Sequence, residues 1–80
     1  MRYKVLLIPH GNGGYTAVVP SLPGCVTEGE SFDAALMAAR EAATGWLETA
    51  VAHGRDIPTE PDGTVVAELE TMVPALAAIP

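Results

Sequence analysis

Apolar residues along this chain recur first with a period of two and then with a period of three to four. Tyr3–Ile8 and Tyr15–Val19 are short runs rich in Val, Leu, Ile and Tyr, and each reads as a β-strand. The Gly11-Asn12-Gly13-Gly14 cluster between them suits a hairpin loop. Pro20 cannot donate to a ladder and ends the second strand, and Ser21-Leu22-Pro23-Gly24 leads into a third, Cys25–Glu30. Three strands with short links predict an antiparallel meander. From Ser31 the period changes. Phe32, Ala35, Leu36, Ala39, Ala43, Trp46, Leu47, Ala50 and Val51 form one side of a helix, and Asp33, Met37, Arg40, Glu41, Thr44 and Glu48 the other. Ser31 is a suitable N-cap, Asp33 complements the helix dipole, and Gly54 stands where a helix of about six turns ends.

Arg55–Gly63, with Pro58, Pro61 and Asp62-Gly63, reads as an extended loop closing in a turn. Thr64–Glu70 alternates again, Val65, Ala67 and Leu69 against Val66, Glu68 and Glu70, and predicts a fourth strand. The expected fold is α+β with the order β-β-β-α-β: a three-stranded meander, one long helix packed on it, a fourth strand and a short apolar tail. Residues 1–80 are read as one domain without a separate DNA-binding domain. In the tail, Met72, Val73, Leu76 and Ile79 would each forgo roughly 1.5–3 kcal/mol if left in water. It is expected to dock on the sheet or on a neighbour.

The strand faces bear on association. Tyr3, Val5 and Leu7 oppose Leu6 and Ile8, and Tyr15, Ala17 and Val19 oppose Thr16 and Val18, so both faces are substantially apolar. One helix covers one face. The other, carrying Leu6, Ile8 and Val18, is expected to meet a second copy of the chain. Gly45 inside the helix costs up to about 1 kcal/mol relative to Ala, which close approach of a neighbouring backbone would explain. Gly45, Trp46, Met72, Val73, Leu76 and Ile79 therefore join the candidate oligomer interface.

Composition narrows the chemistry. Hydrophobic residues make up 49% of the chain and aromatic ones 5%, so the core must be built from small aliphatics. Ten Asp and Glu against four Lys and Arg give a formal charge of −6. Nucleic-acid affinity rests mainly on Lys and Arg, and Arg2, Lys4, Arg40 and Arg55 form no run. Direct nucleic-acid binding is not expected, whereas attraction to a basic protein is. Glu28 and Glu30 share one strand face and Glu68 and Glu70 another, a candidate acidic patch for such a partner if the strands are neighbours. The lone Cys25 allows no internal disulfide, and no segment has the length of a membrane span. A cytoplasmic setting is expected, with no membrane partner.

Catalytic and metal chemistry find little support. His10 beside a glycine-rich turn and His53 at a helix C-terminus are the only imidazoles, short of the three or four ligands of a zinc site. Cys25 has no basic residue close in sequence and reads as a small buried hydrophobe. The glycines before Tyr15 precede a strand, whereas phosphate loops precede a helix. No nucleophile–base pair is visible. Neither a cofactor, a metal nor an enzymatic activity is expected.

Four motifs together resemble the HicB-like antitoxin family: Met1-Arg2-Tyr3-Lys4-Val5, the Gly13–Pro20 segment, Leu22–Gly29, and Ser31–Leu36 at the helix start. Gly54-Arg55-Asp56-Ile57-Pro58 is similar to the family's post-helix segment, so the likeness spans about residues 1–60. The resemblance implies a partial ribonuclease-H-like fold that dimerises or tetramerises. It also implies a protein that binds and occludes HicA, a small basic messenger-RNA-cleaving toxin. Many members carry a separate C-terminal operator-binding module, and the twenty residues after the matched region are not expected to supply one. The alternative is an orphan oligomeric scaffold or small-ligand-binding protein without a toxin partner.

Overall fold

A computed structural model describes residues 1–74 of the chain. Three strands, β1 (Leu6–Pro9), β2 (Tyr15–Val18) and β3 (Val26–Gly29), precede one helix, α1 (Phe32–Ala52). The sheet order is β1-β2-β3 and both pairings are antiparallel, the expected meander. The first hairpin is closed by the His10 N–H donating to the Gly14 carbonyl at 2.7 Å. Asn12 braces its loop, accepting from the Gly14 N–H at 3.0 Å. The β2–β3 link is a folded turn in which Leu22 N–H donates to Val19 O at 3.1 Å and Cys25 N–H to Leu22 O at 3.0 Å. That geometry points Leu22 inward, and at 1% exposure it is the largest fully buried side chain described.

Both helix ends form as their residues dictate. Ser31 Oγ accepts from the Ala34 N–H at 3.1 Å, and Asp33 lies in the first turn. At the far end His53 is the C-cap and Gly54 takes φ 66°, the left-handed conformation that glycine adopts without penalty. Gly54 N–H donates to Val51 O and Arg55 N–H to Ala50 O, at 3.1 and 2.8 Å, a Schellman closure that satisfies two otherwise orphaned carbonyls.

The helix lies over β3 and β2 and barely reaches β1. Its buried seam is Ala35, Ala39 and Ala50, joined in part by Ala42, Ala43, Trp46 and Leu47. These meet Ala17, Val19, Leu22 and Cys25 from the sheet side, with Tyr3, Val5, Leu7 and Tyr15 at the margin. The expected apolar side was drawn too broadly. Phe32, Leu36 and Val51 remain exposed, because the helix meets mainly β3 and β2 and its fully buried seam narrows to the alanines. Phe32 instead meets the Tyr15 ring edge-on, with centroids 5.7 Å apart.

What permits this approach is Gly29. A Cβ there would fall onto the backbone of Ala34 and Ala35, 2.6 Å from the Ala34 carbonyl carbon. Gly45, by contrast, is exposed with open space where a Cβ would stand, so nothing within the described chain accounts for it.

After the helix, the chain returns to the N-terminal end of the sheet. Tyr3 Oη donates to Pro58 O at 2.6 Å, and Ile57, Pro58 and Glu60 are partly buried. A turn follows, in which both the Thr64 N–H and its hydroxyl donate to Pro61 O, with Gly63 at φ 85°. Beyond it the expected fourth strand, Thr64–Glu70, joins no ladder among the described residues and is exposed throughout. The radius of gyration is accordingly 16.2 Å, against about 11–12 Å for a compact chain of this length. Leu76 and Ile79 of the predicted tail lie outside the described residues.

Two glycine substitutions separate the roles of close approach and propensity. Gly29→Ala is expected to cost about 2–3 kcal/mol by forcing β3 and α1 apart. Gly45→Ala should add up to about 1 kcal/mol through helix propensity. Urea unfolding of both variants checks the pair, and similar shifts at the two positions would contradict the packing described.

Candidate protein-binding surfaces

Strand alternation and register sort the outward side chains into rows. On the face away from α1, Leu6, Val18 and Val26 stand side by side across all three strands, and Ile8, Thr16 and Glu28 form the next row. Leu6, Ile8 and Val26 are 36, 50 and 56% exposed, values high for aliphatic side chains in a sheet. Val18, on the central strand, is partly covered by its neighbours. The polar row is locally ordered: His10 Nε2 and Thr16 Oγ1 are 2.7 Å apart. The open face is thus an aliphatic stripe with a carboxylate at its β3 edge.

The carboxylates expected to form one patch are divided. Glu28 and Glu30 are exposed at β3, where they border a shallow recess with His10, Asn12 and Gly29. Glu68 and Glu70 lie on the unpaired segment, and no ladder joins that segment to β3. Among the described residues no three His, Cys, Asp or Glu side chains gather where they could hold a metal ion. Trp46 is half-buried and its Nε1–H donates to Pro23 O at 2.9 Å, tying helix to turn. Met72 and Val73 are exposed at 95 and 64%.

Cys25 is buried in the core cluster, as read from its neighbours in sequence. Burial pushes its thiol above the ordinary value, which disfavours the reactive thiolate.

Two features of the surface depend on residues far apart in the chain. The first is Glu60, whose carboxylate accepts from the Lys4 backbone N–H at 3.0 and 3.2 Å and from the Ser21 hydroxyl at 3.1 Å. Lys4 Nζ lies 3.4 Å away, the one ion pair among the described residues. Glu60 thereby gives the Lys4 N–H an acceptor just beyond the last pair of the β1–β2 ladder, Leu6 with Val18. The second is a groove of about 1000 Å³ between the Met1–Val5 segment that leads into β1 and the exposed shoulder of α1, with Asp33 also on its wall. Its apolar walls come from Tyr3, Val5, Leu36, Met37 and Leu47, and Arg2, Lys4 and Arg40 line it too. Three of the four basic residues, scattered in sequence, meet around one depression. The only sequence sign was the alternation of charge and apolar character from Arg2 to Val5.

A small sheet with an open aliphatic face, a helix on its other side and dispersed carboxylates defines a module suited to contacting macromolecules. The chain belongs to the HicB-like antitoxin family of bacterial toxin–antitoxin systems, whose model matches residues 3–74. Among curated relatives, a UPF0150 protein of Synechocystis sp. is 34% identical over 59 residues, covering 74% of this chain and 81% of its own. A UPF0150 protein of Thermoplasma acidophilum is 35% identical over 60 residues, covering 75 and 87% respectively. A second Synechocystis UPF0150 protein is 36% identical over 59 residues, covering 74 and 75%. No helix among the described residues is long and apolar enough to cross a membrane.

The Glu60 clasp makes a signed pH prediction. The Lys4 backbone N–H, followed by the Ser21 hydroxyl and the Lys4 ammonium, holds the carboxyl below its ordinary value. The folded chain then binds fewer protons at this site than the unfolded one, so the clasp stabilises above the ordinary carboxylate range and its contribution is lost as pH falls through the depressed pKa. Thermal unfolding of Glu60→Gln should trail the wild type near pH 7 and converge with it in acid. A difference independent of pH would contradict this role.

Proposed function

We propose that this chain is a non-enzymatic, cytoplasmic antitoxin-type protein that self-associates and covers a small basic HicA-like mRNA-cleaving toxin. The observation that carries the reading is the open sheet face, an exposed aliphatic stripe edged by Glu28 on a chain with formal charge −6. Apolar area of this kind marks contact surfaces on small soluble domains. Leu6, Ile8 and Val18 form the centre of a self-association interface, while Glu28 and Glu30 steer the basic partner. Membership of the antitoxin family supports the same role.

Co-expression with a small basic ribonuclease encoded beside this gene tests it. The pair should co-purify, growth inhibition should be relieved, and affinity should fall with added salt. Glu28→Lys with Glu30→Lys should weaken the complex about tenfold, equivalent to about 1.4 kcal/mol, and flatten the salt dependence. Absence of both complex and relief, or an unrelated neighbouring gene with a small ligand retained by the purified protein, would favour the orphan scaffold instead.

A further inference from the structure

The segment Thr64–Glu70 has the composition of a strand, yet it stands away from its own body. Val65, Val66 and Leu69 are 76, 61 and 82% exposed. Its root is fixed: Pro58 and Glu60 are held by Tyr3, Lys4 and Ser21, and the Pro61–Thr64 turn closes on two hydrogen bonds. Beside that root lies a strand edge with no partner among the described residues. Because His10 donates to Gly14 and pairs alternate in an antiparallel ladder, Leu6 and Ile8 bond to β2. Continued back through the residues before β1, the same alternation directs the backbone N–H and C=O groups of Leu7, Val5 and Tyr3 to the outer edge. Tyr3 and Val5, just ahead of β1, border the groove against α1.

We infer that Thr64–Glu70 of a second copy enters this groove as an exchanged fourth strand, pairing antiparallel with residues 2–7, the start of β1 and the extended segment that leads into it. The inference rests on the self-association proposed above and adds a second contact to the open sheet face. Both chemistry and register fit. Opposing Val66 to Leu6, Glu68 to Lys4 and Glu70 to Arg2 places two carboxylates beside two cations and an aliphatic beside an aliphatic. The other side of the same strand then presents Val65, Ala67 and Leu69 to Leu7, Val5 and Tyr3, over the apolar wall provided by Leu36, Met37 and Leu47. Burial alternates from Arg2 through Ile8 in the phase this pairing requires. The reciprocal exchange fills both grooves of a symmetric pair, and it removes an exposed strand edge that would otherwise invite uncontrolled pairing.

Cross-linking between distinguishable copies of the full chain tests the exchange. On a Cys25→Ala background, a Val5→Cys chain and an Ala67→Cys chain are co-refolded from urea and oxidised gently. The expected result is a covalent heterodimer that reducing agent dissolves, formed in preference to either homodimer. An intrachain bridge in the doubly substituted Val5→Cys/Ala67→Cys chain, with no heterodimer in the mixture, would overturn it in favour of folding back within one copy. Light scattering on the chain without cysteine substitutions provides the second readout: Leu69→Glu should lose the doubled mass while retaining the helical circular dichroism of the body. A wild-type monomer at micromolar concentration would sink both self-association and exchange. A wild-type oligomer whose mass survives Leu69→Glu, with no heterodimer formed, would sink the exchange alone and leave the open sheet face as the contact.

Discussion

The closeness of α1 to β3 governs this structure. Gly29 has no side chain where the first turn of the helix passes, so the backbone of Ala34 and Ala35 can rest almost on the strand. Everything inward of that contact is small: Ala17, Ala35 and Ala39 sit in the centre, with Leu22 as the largest fully buried side chain. A core of this kind holds the helix near but supplies little apolar area per residue, and small domains have little to spare. Helix contact is concentrated at β3, and a groove lies on the other side of the body, beside Met1–Val5.

Incomplete burial then links fold to function. The stripe of Leu6, Val18 and Val26 and the groove beside β1 lie on opposite faces of one thin sheet. Charge is distributed unevenly between them. Arg2, Lys4 and Arg40 cluster at the groove, while Glu28 and Glu30 mark the far edge of the sheet. Three of the four cations of this acidic chain thus share one depression, where Asp33 also lies and Lys4 is paired with Glu60.

Local chemistry made much of the fold legible in advance. The glycine hairpin, the Ser31 cap and the Gly54 stop each depend on residues within four or five positions and stand as read, and the three strands stand in order, with β1 running Leu6–Pro9 rather than Tyr3–Ile8 and β3 Val26–Gly29 rather than Cys25–Glu30. Leu22 escaped notice because a residue inside a proline-flanked turn carries no periodic signal, and only the folded turn aims it inward. The helix face was misjudged for a related reason. Period alone cannot tell Leu36 from Ala39, since the choice depends on the close approach that Gly29 allows. Glu60 and the three gathered cations involve partners from widely separated parts of the chain, beyond any motif. The alternation of Thr64–Glu70 was visible, but sequence could not say that it joins no ladder among the described residues.

The central claim is that the Gly29-centred body is self-sufficient while its open surfaces are reserved for association. Amide hydrogen exchange followed across a dilution series addresses both halves at once. Amides of β2 and of α1 between Ala35 and Ala50 should stay protected at every concentration, while those of Val5, Leu7 and the Thr64–Glu70 segment should gain protection only as concentration rises. Loss of protection throughout the body on dilution, or protection of the edge and segment that ignores concentration, would contradict the account.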